Sequence, residues 1–394
     1  MISIQAFGAK GDSRQDDFPA FERALASGTN EVYVPAGKYR IHGMLTLPSD
    51  FTLKLHPEAY MILDDYTGSE GCPYLLTAVT GANNVTVDGG VWEGNCRKNP
   101  RIVGEHPHRG ILISFSDVSH LTLKNMTVRN SEAFHIRLNY VTDFLVEHIT
   151  FDDRDLRFTQ DGVHVGGGCE RGVIRHIRGV GPSSPNDDMI ALISDFSGLN
   201  MAPSDPIWGQ RPGPIRDIEI SHVHADNTFS FLRISSVDQP IENIKAHHVS
   251  GGCYYVGLQM EINPYVRDQY QQYPPETVYG TGVIRNVEIA DWDIYTRLYY
   301  GNRRRNYFRN YVGGMIDIEQ SVENLTIRDF HRDRERDAKG EGLPTLNLKN
   351  FKQNKLTFQG TEQTITPGYT PFQLQGSIDD LQLSTVNPHK EKTL

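Results

Sequence analysis

Asn84-Val85-Thr86-Val87-Asp88, His120-Leu121-Thr122-Leu123-Lys124-Asn125, Asp143-Phe144-Leu145-Val146-Glu147 and Gly172-Val173-Ile174-Arg175-His176 are copies of one short phrase. Each alternates apolar and polar residues, so an extended chain sends its apolar side chains to one face. The phrase returns in Asp217-Ile218-Glu219-Ile220-Ser221, Glu242-Asn243-Ile244-Lys245-Ala246, Asn286-Val287-Glu288-Ile289-Ala290 and Glu323-Asn324-Leu325-Thr326-Ile327. The first apolar residues fall at 85, 121, 144, 173, 218, 244, 287 and 325, and the shortest steps are 23, 26 and 29 residues. The longer steps contain insertions: Phe196 to Pro214, Asn263 to Gly282 and Tyr299 to Tyr311.

A strand repeat of roughly 20–30 residues with no helix between copies predicts a stacked solenoid rather than βαβ units. The expectation is an all-β, single-domain, right-handed parallel β-helix over residues 1–394. Leucine-rich repeats share the period, but their fixed Leu and Asn spacing is missing. Residues 1–60 read as an N-terminal cap and first coils, 80–335 as the main coils, 340–385 as the last strands and 387–394 as a tail. Asp16 to Ala26 has an early proline and apolar residues three to four apart, which predicts a short helix over the open end of the stack. Arg334 to Lys339 reads as a solvated charge run.

Composition narrows the function. The net charge of -10 argues against a nucleic-acid partner, which favours a basic stripe. No apolar run approaches the roughly 18 residues of a membrane span. The first residues lack a basic and apolar leader, so the expected location is cytoplasmic, or secreted if the sequence is a mature form. The four cysteines lack metal-ligand spacing and read as reduced thiols. No metal and no cofactor is expected, and nothing indicates an oligomeric state.

Two motifs stand apart: Phe158-Thr159-Gln160-Asp161-Gly162-Val163 and Ser184-Pro185-Asn186-Asp187-Asp188-Met189. Singly, Asp-Gly and Asn-Asp are common turn residues. Together they are 26 residues apart, about one coil. Neighbouring coils lie roughly 4.8 Å apart, so three carboxylates would crowd one patch. Such crowding separates their proton affinities and supplies an acid and a base together. Arg233 to Gln259 is also 26 residues, and Asp187 to Arg233 becomes about one coil without its insertion. In-register stacking then predicts a column of Asp161, Asp187, Arg233 and Gln259, with Glu261 on the same face. Arg233 serves there either as a structural counter-ion or as a substrate contact. Trp208 and Tyr265, in the neighbouring insertions, are candidate walls of the cleft. His164 is expected to face away from Asp161, in a core or stacking role. The recurring His222, His224, His247 and His248 suggest a ladder inside the coil rather than a metal site. Arg303-Arg304-Arg305 reads as a solvated loop.

The opening Ala6-Phe7-Gly8-Ala9-Lys10-Gly11-Asp12, with Val32-Tyr33-Val34-Pro35-Ala36-Gly37, resembles pectate-lyase-superfamily β-helix proteins. Gly90-Val91-Trp92-Glu93-Gly94-Asn95, Val128-Arg129-Asn130-Ser131 and the two aspartate motifs resemble, in order, family 28 glycoside hydrolases of the polygalacturonase type. The resemblance implies hydrolysis of a glycosidic bond with inversion. It implies Asp187 as general acid and Asp161 with Asp188 as the water-activating pair. Substrate contacts are expected from Arg233, Gln259, Glu261, Trp208 and Tyr265.

The sequence departs from that pattern. Thr159-Gln160 replaces the usual start of the first motif. The family's Gly-His-Gly is matched by Thr228 to Ser235, which contains no histidine, and its Arg-Ile-Lys by Gly257-Leu258-Gln259-Met260-Glu261. The basic grip on a uronate is missing, and Glu261 would repel one. The expected substrate is therefore an oligosaccharide or polysaccharide fragment other than plain polygalacturonate. The rival readings are a β-helix lyase or epimerase and a non-catalytic carbohydrate-binding solenoid.

Overall fold

The computed structural model describes residues 1–101, 110–195, 211–236, 239–261, 284–298, 314–338, 343–348, 353–362, 371–374 and 378–386. Parallel strands stack coil upon coil, and one apolar cluster runs from Ile4 to Phe358 through their centre. The predicted columns form. Val85 pairs with Leu121, Ile218 with Ile244, Ile244 with Val287 and Val287 with Leu325. The stack continues past the decay of the sequence pattern, through Gln353–Glu362 to Ile378–Val386.

One slot differs from expectation. Gly172, not Val173, lies between Phe144 and Ile218. A Cβ at Gly172 would come within 2.0 Å of the Phe144 ring, so that ring fills the space a larger residue would need.

The coils bend at residues of positive φ. Asn84, His120, Asp143, Arg171, Asp217, Asn243, Asn286 and Asn324 have φ between 53° and 59°. Asn and Asp tolerate this region because their short side chains bond locally. Amides link successive bends: Asn243 donates to Asp217 at 2.8 Å, Asn286 to Asn243 at 3.1 Å and Asn324 to Asn286 at 3.0 Å. A second bend column carries His148, His176, His222 and His248, with ring centroids 4.5 to 4.7 Å apart. That is the coil spacing itself. The four histidines are exposed, so this ladder lies outside the coil rather than inside it.

The predicted helix spans Phe18–Ala26 and buries Ala20, Phe21 and Ala24. Asp16 accepts from the Phe18 N–H at 2.9 Å, while Asp17 turns back to the N–H groups of Lys10 and Gly11. Phe21, Ala24 and Leu25 meet Leu45, Leu47, Phe51 and Leu53 at the first coils, where the core would otherwise face water. The charge run is less solvated than expected. Asp337 pairs with the buried Arg332 at 2.8 Å and accepts from the Thr296 N–H at 2.8 Å. Charges left in a core boundary need such partners. Cys96, Cys169 and Cys253 are buried and Cys72 is half-buried, and no disulfide joins the four.

Candidate active site

Asp161 lies just before the strand Val163–Gly166, and Asp188 begins the strand Asp188–Ile193. These strands pair with Val163 opposite Ile190, and the Gly162 N–H donates to the Asp188 carbonyl at 2.8 Å. Asp161 therefore sits one coil from Asp188, not from Asp187 as the sequence spacing suggested. Gly162 permits the approach: a Cβ there would lie 2.5 Å from the Met189 carbonyl oxygen.

The rest of the predicted column also shifts. Arg233 stacks on Ala191, and Ala191 on His164. Of the expected neighbours, Arg233 and Gln259 do pair directly. The column facing the site reads Arg137, His164, Ala191, Arg233, Gln259, Asp317, Asn347. The offset, three residues at Asp161 and four at Asp187, arises because Asp161 and Asp187 precede their strands and strand alternation starts only at Val163 and Asp188.

The three aspartates nevertheless converge. One oxygen from each lies within 4.8 Å of the others. Asp161, Asp187 and Asp188 are 4%, 8% and 1% exposed, so Asp187 is the most accessible. Burial pushes Asp188 up to about 8; the Arg233 charge opposes this, and the charges of Asp187 and Asp161 add to it. Burial and the neighbouring carboxylates thus favour the protonated form of Asp188. The Ser230 hydroxyl donates to Asp188, and Arg233 Nη1 lies 3.5 Å from its other oxygen.

Arg233 also pairs with Glu261, and its Nε is buried without a hydrogen-bond partner among the described residues. Burial works against its charge, but Glu261, Asp188, Asp187 and Asp161 together hold it protonated. Gln259 donates to Glu261 at 2.7 Å. The Tyr255 phenol, beside them, is pushed far above its usual range by burial and then by Glu261. The predicted contacts Arg233, Gln259 and Glu261 are thus gathered at the aspartates. Trp208, Tyr265 and Arg303 to Arg305 lie outside the described residues.

His164 was expected to face away; instead its Nδ1 lies 2.7 Å from Asp161 Oδ2, and its ring stacks on Phe134 at 4.1 Å. The sequence signal was present: Val163 and Val165 both enter the core, which puts His164 on the opposite, site-facing side. Gln160 is structural. It donates to the Ser131 and Asp155 carbonyls and accepts from the Arg157 N–H. The Tyr254 hydroxyl donates to the Asn186 carbonyl at 2.9 Å and steadies the second motif.

Three clustered carboxylates form a set that a cation could occupy. Arg233 beside Asp188 and His164 beside Asp161 already supply partners from the protein. Chemically, the set offers a proton and two acceptors within one solvent molecule's reach. A surface hollow of about 510 Å³, lined by Glu219, His247, His248 and Asp291 among others, lies on the bend face and includes none of Asp161, Asp187 and Asp188.

Residues 1–167 match the family model described as rhamnogalacturonase A/epimerase, pectate lyase-like. An exopolygalacturonase of Platanus acerifolia is 25% identical over 191 residues, 42% of this chain and 47% of that enzyme; the match thus spans about half the relative's length. A polygalacturonase of Prunus persica is 22% identical over 330 residues, 73% of this chain and 77% of that one. The family 28 exopolygalacturonase of Yersinia enterocolitica superposes with a TM-score of 0.60 at 14% identity, covering 97% of this chain and 78% of that chain. The chain folds as a parallel β-helix, and its similarities run to pectate-lyase-like proteins and to polygalacturonases of the family 28 type.

Proposed function

We propose that the protein is a glycoside hydrolase that cleaves an oligosaccharide or polysaccharide fragment with inversion. The convergence of three carboxyl oxygens within 4.8 Å carries the reading. Asp187, the most accessible, protonates the leaving oxygen. Asp161 and Asp188 hold the attacking water between them. A water making two hydrogen bonds of about 2.7 Å spans acceptors this close.

The spacing is tighter than the about 6.5–9.5 Å usual for inverting pairs and nearer the about 5–5.5 Å of retaining ones. Inversion is proposed on the resemblance to family 28, and the bonds the carboxylates already make suit holding a water in place. Asp161 is bonded to His164, and Asp188 to Ser230 and Arg233. For Asp188 to act as a base and Asp187 as an acid, the proton held on Asp188 must pass to Asp187 as substrate binds.

The sugar nearest Gln259 is proposed to be uncharged. From Gln259 the site column continues through Asp317 and Asn347, with Glu261 beside it; among the described residues the adjoining base is Arg233, which Glu261 and Asp188 already engage. Carboxylates there accept hydroxyl protons and repel a uronate. A glycan panel read by proton NMR of the first-formed anomer tests the proposal. Retention of configuration would refute the water-holding roles, and an unsaturated, ultraviolet-absorbing product would replace hydrolysis by elimination.

A further inference from the structure

We propose that His135 and Asp153 form a buried imidazolium–carboxylate pair that positions the Asp161 segment against the Asp187–Asp188 segment. Neither residue belongs to the aspartate motifs, and neither side chain reaches solvent. Both ring nitrogens of His135 face oxygens: Nδ1 lies 2.9 Å from the Asp161 carbonyl and Nε2 lies 2.9 Å from Asp153 Oδ1. A carbonyl only accepts, so Nδ1 carries a hydrogen.

The second proton is placed by the surroundings of Asp153. Its Oδ1 also accepts from the Asn130 N–H at 2.7 Å. Its Oδ2 lies 2.9 Å from the Ser184 hydroxyl. The Ser184 oxygen accepts from the Asp153 N–H, so its own proton points to the carboxylate. Donors thus surround Asp153 and favour its anion, which leaves the shared proton on Nε2 of His135. The groups around the ring are the carboxylate of Asp153, the carbonyl and more distant carboxylate of Asp161, and the Phe151 ring at 4.9 Å. Burial opposes the charge, yet Asp153 and then Asp161 outweigh it and raise the affinity of His135 for its proton.

The pair links successive coils. Asn130 follows the strand Ile113–Arg129, Asp153 follows Ile136–Phe151, and Ser184 precedes Asp188–Ile193. The His135 backbone N–H donates to the same Asp161 carbonyl at 2.8 Å, so this peptide is held twice from one residue. Asp161 is thereby tied through His135 and Asp153 to Ser184, three residues before Asp187. Broken, a buried ion pair leaves an uncompensated charge.

The test is histidine-directed ¹⁵N NMR on the full chain, with His135→Gln assigning the signal. The wild type is expected to show His135 with both nitrogens protonated at mildly alkaline pH, and Asp153→Asn to show a singly protonated ring. A neutral ring in the wild type, or an imidazolium unchanged in Asp153→Asn, would overturn the pair. Its effect on turnover rests on the hydrolase reading. There, Asp153→Asn is expected to lower kcat about 10- to 100-fold with KM within about twofold, the pattern of misplaced reacting groups. A raised KM at unchanged kcat would overturn the positioning role. Should Asp153→Asn fail to fold, Ser184→Ala is expected to lower kcat in the same sense but less, and an unchanged kcat there would count equally against it. If no glycan is cleaved by the wild type, the NMR result still decides the pair.

Discussion

The bend columns and the site column are built on the same coils, yet they differ in nearly every respect. The bends draw on few residue types: mostly Asn and Asp in one column, with His120 and Arg171 among them, and His148, His176, His222 and His248 in the other. Their side chains are exposed and bond to copies of themselves. The site column changes residue at every step and buries polar groups that bond across levels, as Arg233 does between Asp188 and Glu261. Monotony marks the positions that hold the solenoid together. Departure from it marks the positions where the interior has been made polar at a cost that stability alone would not justify.

That contrast can be broken from either side. Asp187→Asn should lower kcat about 10²- to 10⁴-fold without moving the thermal midpoint, measured by hydrolysis and calorimetry. Arg233→Met leaves Asp188 and Glu261 buried without their cation and should cost about 3 kcal/mol in denaturant unfolding. Gly172→Ala meets the Phe144 ring and should cost roughly 1–3 kcal/mol, with Phe144→Leu restoring much of the loss.

Asp188→Asn should act in the opposite direction. The folded protein holds the Asp188 proton up to about 8, whereas the unfolded chain releases it near the ordinary 3.8. The native state therefore loses stability as pH rises through that window. The variant should overtake the wild type in thermal midpoint as pH climbs, even as it loses activity. At the small end, His222→Ala on the exposed ladder should change stability by about 0.5 kcal/mol or less and leave kcat unchanged. A large effect there would erase the distinction between the columns.

The β-helix was legible because period and alternation are properties of the backbone, and every coil restates them. The aspartates were legible because two short motifs sat close to one coil apart. Their partners were harder to read. The turn at Gly162 interrupts alternation, so counting from Asp161 put His164 on the wrong face and Asp161 beside Asp187 instead of Asp188. A step of 26 residues also differs from the observed 27 between His164 and Ala191, and one residue reverses a side chain. His135, Asp153 and Ser184 meet only in space. Residue type and spacing give no sign of them, because their contact depends on loop paths between coils.

The steps between successive site residues are unequal: 27 residues from His164 to Ala191, 42 from Ala191 to Arg233 and 26 from Arg233 to Gln259. The lattice of strands ignores this inequality, since surplus chain leaves after one strand and rejoins before the next. Loop length is therefore a free parameter for evolution or design. Segments can be exchanged between Asp195 and Arg211 while the aspartates stay anchored to rungs the exchange never touches.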